Sequence, residues 1–242
     1  AAYVLSYRVI RDAAVESGRR DLAFSRQLLE GRIDDLYSSV AQLAAGAQTT
    51  EVARIERPLP YPNYYDIRRF QETLPLFNLT STFIDDVYVF FYESQVLVST
   101  TQVAVRTQMF YENFFLHDEL SFDEWEAMIR ATTYRRRLLP SMLIGAPGQQ
   151  QAYVRFYESF PLDSVRPRGV VMVHVSEDSF ISYFDAIDIG DTGFIAILNQ
   201  EGQVVARGGA RSSIEAYSNN GAEFREHRYV VIEEPSSRYP LR

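Results

Sequence analysis

The sequence predicts an α+β fold built on an antiparallel sheet, and three observations carry that prediction. One long helical stretch, Asp12 to Ala47, opens the chain. Short aromatic and β-branched runs separated by turn residues follow it. The remaining helices are grouped between runs of strands, unlike the alternating βαβ order of a doubly wound fold.

The elements follow in order. In the first helix Leu29, Ile33, Leu36, Val40 and Leu43 recur four and three residues apart, which gives the helix one apolar face. Such a stripe suits a rod that carries a displacement, or that pairs with its own copy; any half-buried core helix shows it too. Thr49 to Asn63 holds Pro58, Pro60 and Pro62 and reads as an extended connector. Tyr64 to Leu74 is expected as a short helix. Asp85 to Thr100 reads as a hairpin turning at Glu93 to Gln95, with both faces of its first strand apolar and therefore covered. Helices are predicted at Thr107 to Phe115 and at Ser121 to Thr133, the latter opened by a capping box of Ser121 and Glu124. Strands are expected at Leu138 to Ile144, Gln151 to Phe160 and Gly169 to Val175, then a helix at Asp178 to Asp188. From Gly190 an alternating hairpin turns at Asn199 to Gly202. A loop or helix at Ser212 to Phe224 and a strand at Arg228 to Glu233 complete the list. The expected division is a spine helix at 1–50, a module at 51–189 and an incomplete second module at 190–242.

Composition excludes several function classes. With 242 residues and 46% hydrophobic content the chain forms a real core. A net charge of -8 provides no basic face for nucleic acid. There is no cysteine, so thiol chemistry and disulfides are absent. All 24 basic residues are Arg, which rules out Schiff-base and P-loop lysines. No run reaches the roughly 18 apolar residues of a membrane span. The first residues, AAYVLSYRVI, read as the tail of a membrane segment, and both ends read as those of a piece excised from a longer protein. No nucleophile elbow, zinc-protease pair or dinucleotide-binding glycine pattern occurs, so no enzyme is expected. His117, His174 and His227 are far apart in sequence and suggest no metal site; no cofactor is expected either. The adjacent pairs Asp85–Asp86 and Glu233–Glu234 point to opposite sides of a strand and make no carboxylate dyad. Arg135 to Arg137 is read as a solvated turn, and Asn78 opens a glycosylation sequon.

The order of elements resembles the double Cache (dCache) sensor fold, a long N-terminal helix running along two PAS-like antiparallel-sheet modules, the second here smaller. The matching stretches are IDDLYSSVAQLA, DDVYVFFYESQVLVST, LSFDEWEAMIRA with RRLLPSML, RGVVMVHVSEDSFISYF and GDTGFIAILNQEGQVVARGG. Together they are similar to the outer domains of Gram-positive, Paenibacillus-like membrane regulators, either AraC-type transcription factors or sensor histidine kinases. The resemblance implies an extracytoplasmic segment flanked by membrane helices, with a small-molecule ligand in the membrane-distal module and a homodimer in the full-length protein. A membrane-anchored solute-binding protein is the alternative partner. Amino-acid-binding members carry an Arg-x-Trp-Tyr element and an aspartate in the last distal strand. Here Trp125 stands near the first without that motif, and His174 stands where the aspartate falls. An imidazole does not replace a carboxylate as the partner of an ammonium group.

If the strands are as expected, Tyr88, Phe90 and Tyr92 share a face, as do Tyr153, Arg155 and Tyr157, and Val170, Met172 and His174. Tyr88, Tyr92, Trp125, Tyr153, Arg155, Tyr157 and His174 are therefore the candidate ligand-binding residues. Aromatic rings with an Arg suit a sugar or a carboxylate. The same tyrosines also fit a core in which each hydroxyl finds a partner.

Overall fold

The computed structural model describes residues 2–59, 62–75, 83–117, 120–210 and 231–241. Asn78, His227 and the expected helix at Ser212 to Phe224 lie outside them. The chain divides into two compact units, one of Ala1–Ile33 with Asp178–Arg242 and one of Asp34–Glu177. Helix α1 (Ala2–Ala45) contributes to both. It begins ten residues before the expected start, because nothing in residues 2–11 breaks a helix: the stretch has neither Gly nor Pro. All five stripe residues, Leu29, Ile33, Leu36, Val40 and Leu43, are buried.

In the larger unit, α2 (Ala47–Val52) occupies the start of the expected connector. The prolines that exclude a helix begin only at Pro58, and the buried Thr49 hydroxyl donates to the Leu43 carbonyl at 2.6 Å, tying α2 to the end of α1. Helix α3 (Asn63–Gln71) follows. A seven-stranded antiparallel sheet then forms from β1 (Asp86–Phe91), β2 (Val96–Ser99), β3 (Val103–Ala104), β4 (Leu116–His117), β5 (Arg137–Gly145), β6 (Gln151–Phe160) and β7 (Gly169–Ser176). Its order is β3-β2-β1-β7-β6-β5-β4. Helices α4 (Thr107–Phe114) and α5 (Phe122–Ala131) lie on either side of β4 in sequence. The expected capping box is present: Ser121 Oγ accepts from the Glu124 N–H, and the Glu124 carboxylate accepts from the Ser121 N–H at 2.9 Å.

Both faces of this sheet are covered. On one, Tyr37 of α1 meets Phe156 edge-on at 5.7 Å and Phe70 of α3 meets Phe91 at 5.4 Å. The Tyr37 hydroxyl donates to the Arg136 carbonyl at 2.8 Å, fixing the helix against the start of β5. On the other face lies an aromatic cluster under α4, β4 and α5. Gly169 is required where β7 begins: a Cβ there would come within 2.3 Å of both the Phe90 carbonyl oxygen and the Phe160 ring.

The smaller unit holds the N-terminal part of α1, a short helix α6 (Glu177–Ile181) begun at the unit boundary, a 3-10 turn at Ser182–Phe184, and the hairpin β8 (Phe194–Leu198) and β9 (Val204–Gly209). The helix expected to reach Asp188 stops early. Further on, Asp188 Oδ1 accepts from the N–H of Gly190, whose φ of +63° turns the chain towards the hairpin. The hairpin turns where expected, with Asn199 Oδ1 accepting from the Gln203 N–H at 2.8 Å. The strand expected at Arg228 to Glu233 is not found in its described part, residues 231–233. A single bridge from Leu241 to Asn199 lies beside β8 instead. Among the described residues no helix is long and apolar enough to cross a membrane.

Candidate functional site

The cluster on the second sheet face is built from residues far apart in sequence. Strand pairing places Asp86, Tyr88 and Phe90 of β1 opposite His174, Met172 and Val170 of β7, and Tyr153, Arg155 and Tyr157 of β6 opposite Ser176, His174 and Met172. All therefore project to one side. Above them α4 and α5 bring Phe110, Tyr111 and Trp125, while Phe115 and His117 come from the turn into β4 and from that strand itself.

The seven sequence candidates lie in or against this cluster. Tyr88 lies 5.2 Å and Tyr153 5.7 Å from the His174 ring, centroid to centroid. Trp125 and Tyr157 are fully buried, and His174 is 1% exposed. Arg155 is buried and directs Nε and one terminal nitrogen to the Pro140 carbonyl, at 3.3 and 3.1 Å. That carbonyl is available because β5 bulges between Leu139 and Met142, where a proline, lacking an N–H, interrupts the ladder. Tyr92 differs: its hydroxyl donates to the Ile129 carbonyl at 2.9 Å and its ring receives the Arg130 guanidinium at 4.9 Å, so it clamps α5 to β1.

Among the cluster residues that were not sequence candidates, two carry ionisable groups that alter its electrostatics. His117 sits edge-on to His174, with ring centroids 6.4 Å apart, and 6.1 Å from Trp125. A two-residue strand between helices gives no periodicity to read, and the separation of His117 from His174 in sequence hid their meeting. Asp86 is the second. The two members of the Asp85–Asp86 pair part as expected: Asp85 accepts from the Ser176 N–H at 2.6 Å, while Asp86 turns to the cluster.

The electrostatics follow from burial. His117 is pushed down to about 3 by desolvation and by the Arg155 charge, against the Phe115 carbonyl that favours its protonation. His174 is held well below its ordinary value by desolvation, then by His117 and Arg155. Both imidazoles are neutral at pH 7. Desolvation raises Asp86 to about 6, with the Tyr88 hydroxyl opposing and Asp85 adding to the shift. Tyr111 is raised by burial to about 12, and burial raises Tyr88, Tyr153 and Tyr157 as well.

Four buried polar atoms in this cluster lack a hydrogen-bond partner: His117 Nε2, Trp125 Nε1, Tyr157 Oη and His174 Nε2. Tyr157 lies in the field of Arg155 without a bond of acceptable geometry. Elsewhere among the described residues only Arg26 Nε and Ser94 Oγ share that condition. Buried polar atoms are nearly always paired, so four orphans in one cluster are unusual.

A cavity of about 490 Å³ lies elsewhere, within the smaller unit. Its walls are mainly apolar, including Leu22, Leu29, Ile33, Phe184 and Ile197. Its Arg26 is engaged by Glu30 at 2.8 Å and Glu234 at 3.6 Å. Its polar lining includes Asp188, Thr192, Glu233 and Ser236 as well. Among the described residues no group of three or more His, Asp or Glu is placed to hold a metal ion.

No protein-family model matches the chain. No curated protein matches it either. Solved structures do. The extracellular domain assigned to the histidine kinase vpHK1S-Z8 superposes with a TM-score of 0.53 at 9% identity, over 81% of this chain and 68% of that one. A domain of a sensory box/GGDEF family protein from Vibrio parahaemolyticus gives a TM-score of 0.51 at 10% identity, over 80% and 72%. At such identities the likeness concerns the fold alone: a long N-terminal helix with antiparallel sheets, the Cache/PAS-like arrangement.

Proposed function

We propose that the chain is an extracytoplasmic sensor domain that binds a small molecule, a carbohydrate or a carboxylate rather than an amino acid, on the aromatic face of residues 34–177. The observation that carries this reading is the set of four buried, unpartnered polar atoms among stacked rings. A ligand that completes those bonds stabilises the conformation it fits, and differential binding of about 1 to 3 kcal/mol is enough to bias a two-state receptor. Helix α1 belongs to both units and is the element through which such a bias reaches flanking membrane helices and a cytoplasmic regulator or kinase. Pairing of α1 with its copy gives the homodimer of the full-length protein.

Thermal unfolding with sugars, organic acids, amino acids and nucleosides tests the reading. A ligand at a hundred times its dissociation constant adds about 2.7 kcal/mol, a shift of roughly 5 to 10 °C for a chain of this size. Tyr157→Phe, which removes one orphaned atom while keeping the ring, and Trp125→Phe, which removes another and keeps an aromatic side chain, are expected to weaken binding about tenfold. Silence across the panel overturns direct sensing and turns the search to a ligand-loaded solute-binding protein as partner.

A further inference from the structure

The cavity of about 490 Å³ in the smaller unit has one wall on α1, where Gly18, Leu22, Arg26, Leu29 and Ile33 recur four and three residues apart and so share a face of the helix. Gly18 lets residues 231–234 close on that wall, since a Cβ there would come within 2.9 Å of Ile232 Cδ1. Another wall is β8, whose Phe194, Ile195 and Leu198 are only partly buried although they border the same space. A two-stranded hairpin is too small a sheet to fill a core against a helix by itself, and large apolar side chains are left around an unfilled volume. That volume is of the size small-molecule sites have.

The charges on the lining set what can enter. Four carboxylates, Glu30, Asp188, Glu233 and Glu234, stand against one guanidinium, that of Arg26. Glu30 is buried and holds Arg26 at 2.8 Å. Glu234 lies 3.6 Å from Arg26, beyond hydrogen-bond range. An ionised carboxylate accepts several donors, so Glu234 has capacity for a second cation. Arg26 and Glu234 are partly exposed, and Asp188 and Thr192 are exposed, so the polar side of the cavity opens to water. An anionic amphiphile would bring its charge among these carboxylates, and an uncharged one gains nothing from them. We propose that this cavity is a second ligand site, for an amphipathic amine whose hydrocarbon body lies along Leu22, Leu29, Ile33 and Ile197 and whose ammonium group donates to Glu234. The proposal is independent of the ligand on the aromatic face. An occupant of this kind ties α1 to residues 231–234.

Octylamine, octanol and octanoate share one hydrocarbon body and differ in charge. Each is titrated at pH 7 by calorimetry, and into protein carrying ¹³C-labelled isoleucine methyl groups. Octylamine is expected to bind roughly fivefold or more tighter than octanol, the worth of one partly exposed ion pair, and octanoate more weakly than either. The methyl resonances of Ile189, Ile195 and Ile197 are expected to shift, while those of Ile129 and Ile144 in the aromatic cluster hold. Glu234→Gln is expected to remove the preference for octylamine over octanol. If Glu234→Gln does not fold, the preference and the methyl shifts of the unaltered protein decide. Octanol or octanoate binding as tightly as octylamine overturns the proposal, as does an octylamine preference that survives in Glu234→Gln. Shifts confined to Ile129 and Ile144 also overturn it, and place the ligand on the aromatic face instead. Absence of binding by all three overturns the proposal and leaves the sensor reading standing, since that reading requires none of them to bind.

Discussion

Asp86 stands directly across the β1–β7 ladder from His174, on the face that carries the aromatic cluster. The pair places a carboxylate at the end of the cluster while the imidazole beside it is buried and neutral. Burial raises Asp86 from 3.8 to about 6, so the folded state favours its protonated form. The stability this contributes is complete below about pH 3.8 and lost as pH rises through 6. At pH 8 the ionised group therefore costs up to about 3 kcal/mol, an upper bound for a group that is not fully buried. Asp86→Asn is expected to stabilise the protein at pH 8 by about 1 to 3 kcal/mol and to be neutral below pH 4, as read from urea midpoints at the two pH values.

The imidazoles have the opposite sign. His117 falls from 6.5 to about 3 on folding, so between those values the unfolded chain binds a proton that the native one does not. Stability from this source is lost as pH drops from 6.5 towards 3, at about 1.4 kcal/mol per pH unit for each buried imidazole. His174 acts in the same direction. Two imidazoles outweigh the one Asp86. Acid unfolding is expected to begin below about pH 6, and His117→Phe is expected to flatten the pH dependence in urea titrations from pH 7 to 4.

Gly169 is predicted to be among the least replaceable positions. Alanine would set a methyl group 2.3 Å from the Phe90 carbonyl oxygen, on a strand held on both sides by β1 and β6. Overpacking of that kind costs about 3 kcal/mol or more. The urea midpoint of Gly169→Ala reports it.

Ser121→Ala removes the side-chain half of the capping box on α5. The expected loss is about 1 kcal/mol in the unfolding free energy. Ligand affinity is expected to hold, since the Ser121 hydroxyl contacts Glu124 rather than the cluster.

What the sequence revealed, and what it hid, divides along physical lines. The stripe from Leu29 to Leu43 was legible because a helix repeats every 3.6 residues and all five positions face inward. The hairpins, the three long strands and the Ser121 capping box carry equally local signals. Grouping Tyr88, Tyr153 and His174 required only the alternation of a strand. Local signals did not show β4, whose two residues have no period, and so did not reveal that His117 meets His174 and Trp125. Nor did they give the partner of Asp86, which depends on the register between β1 and β7, strands far apart in the chain.

The bulge in β5 sets the parity of that strand. Leu139 pairs with Arg155 and Met142 with Tyr153, so three steps along β5 match two along β6. The odd residue is what lets Leu139, Met142 and Ile144 all pack against the cluster, while Leu143 between them is 42% exposed. Removing one residue at 140–141 would undo this like a frameshift confined to space: everything from Met142 to the end of the strand would exchange inside for outside, without any change in the letters that follow. Substitutions along the exposed side of β5 should therefore be absorbed easily, whereas single-residue insertions and deletions at the same positions should not.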